Sequence, residues 1–357
     1  MNVSRNIRML ILLLCILFLS MLSRLIFSPL LVFIQQDLSL TGKEAGSIFF
    51  LLTAGYSPGM LSSGFFSARF RHRGTILLAL GFMAAGTFLV ALCGSFATMV
   101  VGLLILGFGT GLYPPSGIAS ITGSIDPQKT GKALAVHELG PAFAFVAAPL
   151  LVVALYPYMG WRFILGCIAL VNLVVAVLYS RYGCGGEEYG QTPRFSNLRV
   201  VWKDPLLWFC LLLFCVALSA MQGLYSILPF YLITNKNLEP TAVNLLVGLS
   251  RITGILTLLI SGYLVDGLGA RRVLMIAFAV SGVSTLGIMG GTGTLLNFFV
   301  VLQPALLSAF FPAGLLVLSR IGPPEIQNVT LSFVISFAVL FGNGIVPTLF
   351  GWLLDSG

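Results

Sequence analysis

Runs of twenty or so apolar residues recur from one end of this chain to the other. Each is long enough to cross a ~30 Å hydrocarbon core as a helix. Of the 357 residues, 58% are hydrophobic and only 8% are charged, where a soluble domain of this size carries about a quarter charged residues. A water-soluble enzyme is excluded. The composition is that of an all-α, polytopic membrane protein.

Reading the apolar runs between charged or Gly/Pro-rich breaks gives eleven expected spans. They lie near residues 9–34, 45–67, 75–94, 98–124, 132–156, 161–181, 205–233, 241–265, 273–291, 294–319 and 328–354. Arg5 and Arg8 before the first run resemble a signal peptide, but the run continues to Phe33 without a small-x-small cleavage site, so it reads as an uncleaved span. Most connections are short. The exception, from about Tyr182 to Asp204, is polar, Gly-rich and mixed in charge. It divides the chain into an N-terminal six-helix bundle (1–182), a central loop (183–204) and a C-terminal bundle of five spans (205–357).

The 19 Lys and Arg residues fix the expected orientation. With the N-terminus inside, 14 of them fall in inner loops and three, Lys43, Arg162 and Lys236, in outer loops. Positive residues collect on the cytoplasmic side of membrane proteins, so the N-terminus and the central loop are expected in the cytoplasm of a cell whose inner or plasma membrane holds the chain. The net charge of +8 is therefore topological, and no nucleic-acid partner is implied. The six cysteines (15, 93, 167, 184, 210 and 215) are scattered, without CxxC pairs or Cys/His clusters, and indicate no metal and no disulfide framework.

The turn after the second span reads Gly64-Phe-Phe-Ser-Ala68-Arg69-Phe-Arg71-His-Arg73-Gly74, and the turn after the eighth reads Gly262-Tyr-Leu-Val-Asp266-Gly-Leu-Gly269-Ala-Arg271-Arg272. They stand 198 residues apart at matching places in the two halves. A unit used twice in one orientation is a parallel repeat, a pattern transporters build around a midplane site. Here the chain resembles the major facilitator superfamily of secondary transporters, whose turn between the second and third helices reads G-x-x-x-D-x-x-G-x-R-[RK], with a weaker copy between the eighth and ninth. The second copy matches well. The first has Ala68 in place of the acid and Arg71 in place of the second Gly. Of that family's fifth-helix motif only Pro149 survives, and its fourth-helix arginine is absent. The resemblance implies two bundles rocking about a central cavity, with the two turns (Gly64, Arg69, Arg73; Gly262, Asp266, Gly269, Arg271, Arg272) taking part in the conformational switch. It also implies twelve spans. This sequence stops at Gly357, after the eleventh, so either it is truncated before a twelfth helix or that helix has been lost.

An ionisable side chain inside a span costs roughly 2.5–3.5 kcal/mol on insertion scales and is a functional hypothesis by default. Arg24 lies 15 residues into the first span and Arg251 lies 15 residues before Asp266 at the inner end of the eighth. Both are then about 22 Å from the inner edge at 1.5 Å per residue. Two cations at one depth, on helices from opposite halves, repel one another unless an anion lies between them. The competing reading has each guanidinium bonded to backbone carbonyls or snorkelling to the interface. Arginine suits bidentate recognition of a carboxylate, phosphate or nitrate. Glu138 is the one acid inside a span, beside His137 and about 9 Å above the inner edge. The pair reads either as a proton-coupling site or as a gate.

Tyr56, Tyr113, Gln222, Tyr225, Gln303 and Asn343 are softer polar groups at mid-span. In the resembling family the first, fourth, seventh and tenth helices line the cavity, which selects Tyr113, Gln222, Tyr225 and Gln303. Each also reads as a helix–helix hydrogen bond. No Walker A sequence is present, and no cofactor is expected. The expected function is secondary active transport of a small organic or inorganic anion by a monomer, with coupling to protons. Efflux of hydrophobic or neutral compounds, and a non-transporting scaffold or sensor, stand as alternatives.

Overall fold

An acid followed by proline opens three of the helices. Asp126, Asp204 and Glu239 accept backbone N–H bonds from the first turn as N-caps, and Pro127, Pro205 and Pro240 follow at the first helical position. The N–H that proline lacks would be unpaired there in any case. Thr41 with Glu44 and Ser95 with Thr98 form reciprocal capping boxes at two further starts. Polar side chains are thereby spent at the connections, leaving the segments between them apolar.

A computed structural model describes residues 3–190, 192, 202–318 and 324–356. The helices are α1 (Val3–Leu25), α2 (Phe27–Leu38), α3 (Gly42–Ala91), α4 (Phe96–Ser124), α5 (Pro127–His137), α6 (Leu139–Tyr182), α7 (Pro205–Leu218), α8 (Leu224–Thr234), α9 (Pro240–Leu268), α10 (Ala270–Gly290), α11 (Gly293–Leu307), α12 (Phe310–Leu318), α13 (Pro324–Val339) and α14 (Val346–Ser356). Two π-helical segments, Ser219–Gly223 and Leu340–Ile345, join α7 to α8 and α13 to α14. Among the described residues there is no strand. Arg194, Arg199 and Arg320, counted above for orientation, lie outside the described residues.

Eight helical stretches are long and apolar enough to cross a membrane. The difference from eleven expected spans has a local cause. Two pairs of spans run together as stretches of 50 and 55 residues, bent at Arg71 (φ 61°, ψ 167°) and Gly160 (φ 67°, ψ 170°) without a loop. The tenth expected span is divided between α11 and α12 after Pro304. The outward faces are apolar: Leu170, Leu256, Leu259 and Leu286 are each about 60–70% exposed. In water such surfaces would drive association; against lipid tails they are matched. The chain is an integral, multi-pass membrane protein.

Without a hydrophobic drive between helices in lipid, close packing rests on small residues. A Cβ on Gly107 would lie 2.1 Å from the Leu52 carbonyl oxygen, and one on Gly111 would lie 2.1 Å from that of Tyr56. These glycines let α4 lie directly on the backbone of α3.

Connections contact one another in two groups. In one, Arg73 reaches Glu187 at 2.8 Å and the Ser180 carbonyl at 2.7 Å, and Arg8 reaches Cys184 at 3.3 Å. In the other, Arg162 bonds Asp37 and the Cys93 carbonyl, and Lys236 bonds the carbonyls of Met289 and Gly291. The N-terminal and C-terminal halves of the chain meet at this second end. Ser28 donates to the Tyr225 carbonyl at 2.8 Å, Thr348 to that of Gly46 at 3.2 Å, and a Cβ on Gly351 would lie 2.4 Å from the Gly42 oxygen. That packing shuts the second end.

Candidate functional site

The side chains that are most costly to place in lipid converge on one space. A cavity of about 610 Å³ is lined by Arg24 on α1, Glu138 at the joint between α5 and α6, Gln222 in the first π segment and Arg251 on α9. Its walls are otherwise largely apolar, including Met21, Phe145, Phe214 and Leu258. It extends toward the end that carries the Arg73–Glu187 contact, since it is lined by Ile118 late in α4 and Leu258 late in α9.

The two arginines occupy similar settings. The Arg24 guanidinium lies 4.5 Å from the Tyr56 ring centroid, with Nη2 donating to Met21 Sδ at 3.0 Å. Arg251 is 5% exposed and lies 4.5 Å from the Tyr225 ring and 5.5 Å from that of Phe145, with Nη1 reaching the Met221 carbonyl at 3.4 Å. Both Nε atoms are buried without a partner. Among the described residues no carboxylate lies within ion-pairing distance of either. A cation–π contact contributes about 0.5–2 kcal/mol, less than the several kcal/mol it costs to bury an unpaired cation. The cavity wall thus carries two guanidiniums without an ion pair and one carboxylate, that of Glu138.

His137 and Glu138 sit where α5 meets α6. Tyr113 Oη donates its single proton to the Leu13 carbonyl at 2.6 Å, so the 2.8 Å contact with His137 Nε2 must have the imidazole as donor. A neutral His137 then turns the lone pair of Nδ1 toward Glu138 Oε1, 3.4 Å away, close enough for an ion pair but not aligned as a hydrogen bond. Two acceptors face each other there unless the pair holds a proton. His137 is 1% exposed, whereas the Glu138 side chain is 58% exposed on the cavity side.

Of the softer polar groups expected on the wall, Gln222 lines the cavity. Tyr113, Tyr225 and Gln303 are packed behind it, each 0–1% exposed. Tyr225 donates to the Phe145 carbonyl at 3.1 Å and Gln303 Nε2 to that of Ala220 at 2.6 Å, so both act as bonds between helices. Tyr56, one of the polar groups noted at mid-span, lies under the Arg24 guanidinium on the cavity wall, and Phe145, which no charge or motif singles out in an apolar run, lies beside that of Arg251.

The two turns differ in what they touch. Among the described residues Arg69 makes no ion pair, while Arg73 holds Glu187 from one side and Arg71 approaches it at 3.4 Å from the other; Gly64 lies within α3. His72, Arg73 and Gly190 complete the docking through backbone bonds to Glu188, Gly186 and Ser67. The acid missing at Ala68 is thus supplied from the segment after α6. The Arg73 guanidinium holds the Glu187 carboxyl below the usual carboxylate range. At the other turn Gly262 lies within α9, Gly269 takes φ 81°, and Asp266, Arg271 and Arg272 are exposed and form no ion pair among the described residues.

Two curated proteins and one solved structure are similar to this chain. A nitrite extrusion protein of Bacillus subtilis is 23% identical over 224 residues, covering 60% of this chain and 54% of its own length. A probable nitrate/nitrite antiporter, NarK1, of Thermus thermophilus is 26% identical over 268 residues, covering 72% and 60%. The chain spans about half the length of the curated relatives it matches. The crystal structure of a bacterial homolog of the human lysosomal transporter Spinster, in an inward-facing and unoccupied conformation, superposes with a TM-score of 0.86 at 17% identity, covering all of this chain and 84% of that one. The profile of the Major Facilitator Superfamily matches residues 13–239, nearly two thirds of the sequence. The fold is that of carriers rather than enzymes, and the chain belongs to the Major Facilitator Superfamily.

Proposed function

We propose that this chain carries small anions by alternating access, with the anion held between Arg24 and Arg251. The observation that carries this is the pair of guanidiniums on one cavity, each with a buried Nε lacking a partner and neither with a carboxylate among the described residues. The relatives named for nitrite and nitrate transport support the sign of the cargo. The halves 1–182 and 205–357 rock as bodies of a monomer, closing the open end by bringing the two turns together. The N-terminus faces the cytoplasm of the cell whose plasma or inner membrane holds the chain, as the lysine and arginine bias requires.

His137 and Glu138 couple this movement to protons. Tyr113 fixes the imidazole tautomer, and the half-exposed Glu138 carries the proton between the cavity and the ring. A second reading, efflux of hydrophobic compounds, is favoured by the walls of Met21, Phe145, Phe214 and Leu258.

Uptake into proteoliposomes separates these readings. Arg24→Glu and Arg251→Glu should each abolish anion flux while the protein folds and inserts. Anion flux at the wild-type rate in either variant overturns the anion reading, and unchanged flux of a neutral hydrophobic compound in both favours the second.

A further inference from the structure

A smaller space opens beside Arg24. It has a volume of about 30 Å³ and is bounded by Arg24, Thr53, Gln222, Ser226 and Asn343, with Arg24 and Gln222 shared with the main cavity. A space of that size admits one or two water-sized groups. It can take a substituent of the cargo, not the cargo itself.

Its polar groups make a specific demand. Ser226 and Thr53 already donate their protons to the carbonyls of Gln222 and Phe50, at 2.8 Å and 2.9 Å. Asn343 Nδ2 donates to Gln222 Oε1, leaving Asn343 Oδ1 buried without a partner and the Gln222 amide nitrogen without a protein acceptor. Asn343 is 8% exposed. Turning both amides round reverses the bond and leaves a Gln222 oxygen and an Asn343 nitrogen instead. In either setting the pair holds out one acceptor and one donor. A bare oxyanion has only acceptors and leaves the amide oxygen unsatisfied. A hydroxyl gives one proton and receives another, and so meets both.

The main chain brings these amides together. Gln222 and Asn343 each lie in a π-helical segment, and the segments touch where a Cβ on Gly223 would lie 2.3 Å from the Gly342 oxygen. π-bulges inside long helices are frequent at functional sites because they re-aim a side chain. We propose that this recess is a hydroxyl subsite and that the cargo is a hydroxycarboxylate, its carboxylate on the arginine side and a hydroxyl between Gln222 and Asn343. The proposal rests on the anion reading and adds the class of anion, organic and hydroxylated rather than inorganic.

The test compares matched acids on the purified full chain by ligand-induced thermal stabilisation, fitted to a half-saturating concentration. 3-Hydroxybutyrate is paired with butyrate, gluconate with hexanoate, and nitrate is run alongside. At least one hydroxy acid should bind about tenfold or more tightly than both its deoxy partner and nitrate, because a site built to bond a hydroxyl rejects the analogue lacking it. Asn343→Leu should erase that margin. Deoxy acids or nitrate binding as well as the hydroxy acids overturns the proposal, as does a margin that survives Asn343→Leu. If that variant does not fold, the wild-type pairs and Gln222→Leu decide. Failure of the anion reading has a different signature: no acid in the panel stabilises the protein, or all do so equally well in Arg24→Gln.

Discussion

Arg71 turns the same corner as Gly269, 198 residues later. The first has φ 61° and ψ 167°, the second φ 81° and ψ 145°, and Gly160 repeats the conformation between the fifth and sixth expected spans at φ 67° and ψ 170°. Glycine is at home in this region; a residue with a Cβ is strained there by about 1–3 kcal/mol. The contacts of Arg71 with Glu187, 3.4 Å long, and with the Tyr189 ring, 5.0 Å from its centroid, are exposed and screened by solvent, and return less than that. Arg71→Gly should therefore stabilise the protein by about 1 kcal/mol after the entropy of an added glycine is allowed for. Gly269→Ala should destabilise it by about 1–2 kcal/mol. Thermal unfolding in detergent checks both, and the same sign for the two variants would refute the strain argument.

Glu187 gives the first turn its pH dependence. Its carboxyl is held low first by the hydrogen bond from Arg73. A depressed carboxylate contributes stability at pH above its unfolded value of about 4.3, and loses it as pH falls through the lower folded value. The side chain is 50% exposed, so the contribution is at most about 1 kcal/mol and weakens with salt. Amide exchange reports it directly, because the Arg73 N–H is bonded to the Gly186 carbonyl at 2.8 Å. Glu187→Gln should speed exchange at Arg73 at pH 7, and the gap from wild type should close as the wild-type carboxyl is protonated. Equal exchange at pH 7 would remove Glu187 from the latch.

How much of this was legible in the sequence depends on the kind of signal each residue leaves. Arg24, Arg251 and Glu138 stand out because a charge in an apolar run has no cheap explanation, and all three line the cavity. Tyr113, Tyr225 and Gln303 were selected by which helix carries them. Which way a residue points depends on its helical phase relative to neighbours in space, which one sequence does not contain. Phe145 leaves no signal at all, being one aromatic among apolar residues. Asn343 left a weak one: a polar side chain between Gly342 and Gly344 in an apolar segment, where the helix widens to a π turn. The partner of Arg73 lay in the polar central segment, and its trace was the missing acid at Ala68.

Tyr113 and Glu138 make separable contributions to coupling. Glu138→Gln retains size and polarity but cannot carry a proton. If the pair couples transport to protons, this variant should lose stimulation of uptake by an imposed pH gradient. Exchange of anion across equal concentrations needs no net proton movement and should stay within about threefold of wild type. Tyr113→Phe removes the hydroxyl that accepts from His137 Nε2 and frees the ring to change tautomer. Its gradient stimulation should fall without vanishing. Full stimulation in Glu138→Gln would leave His137 and Glu138 as structural groups at the joint of α5 and α6.

The glycines of α4 tie helix packing to the cavity. A Cβ on Gly107 would lie 2.1 Å from the Leu52 oxygen, more than an ångström inside ordinary contact, and that oxygen belongs to a helix backbone that cannot turn aside. Gly111 meets the Tyr56 carbonyl at the same distance, and the ring of Tyr56 carries the Arg24 guanidinium. Gly107→Ala must push α3 and α4 apart, at about 1–3 kcal/mol for overpacking, and the displacement moves Tyr56 relative to Arg24. The variant should lower both thermal stability and affinity for the transported anion. Gly81→Ala is the control, since its added Cβ meets nothing within 4 Å in the interior of α3. It should raise stability by about 0.5–1 kcal/mol through helix propensity and leave affinity alone. If Gly107→Ala lost stability at unchanged affinity, the packing of α3 on α4 would be independent of the site.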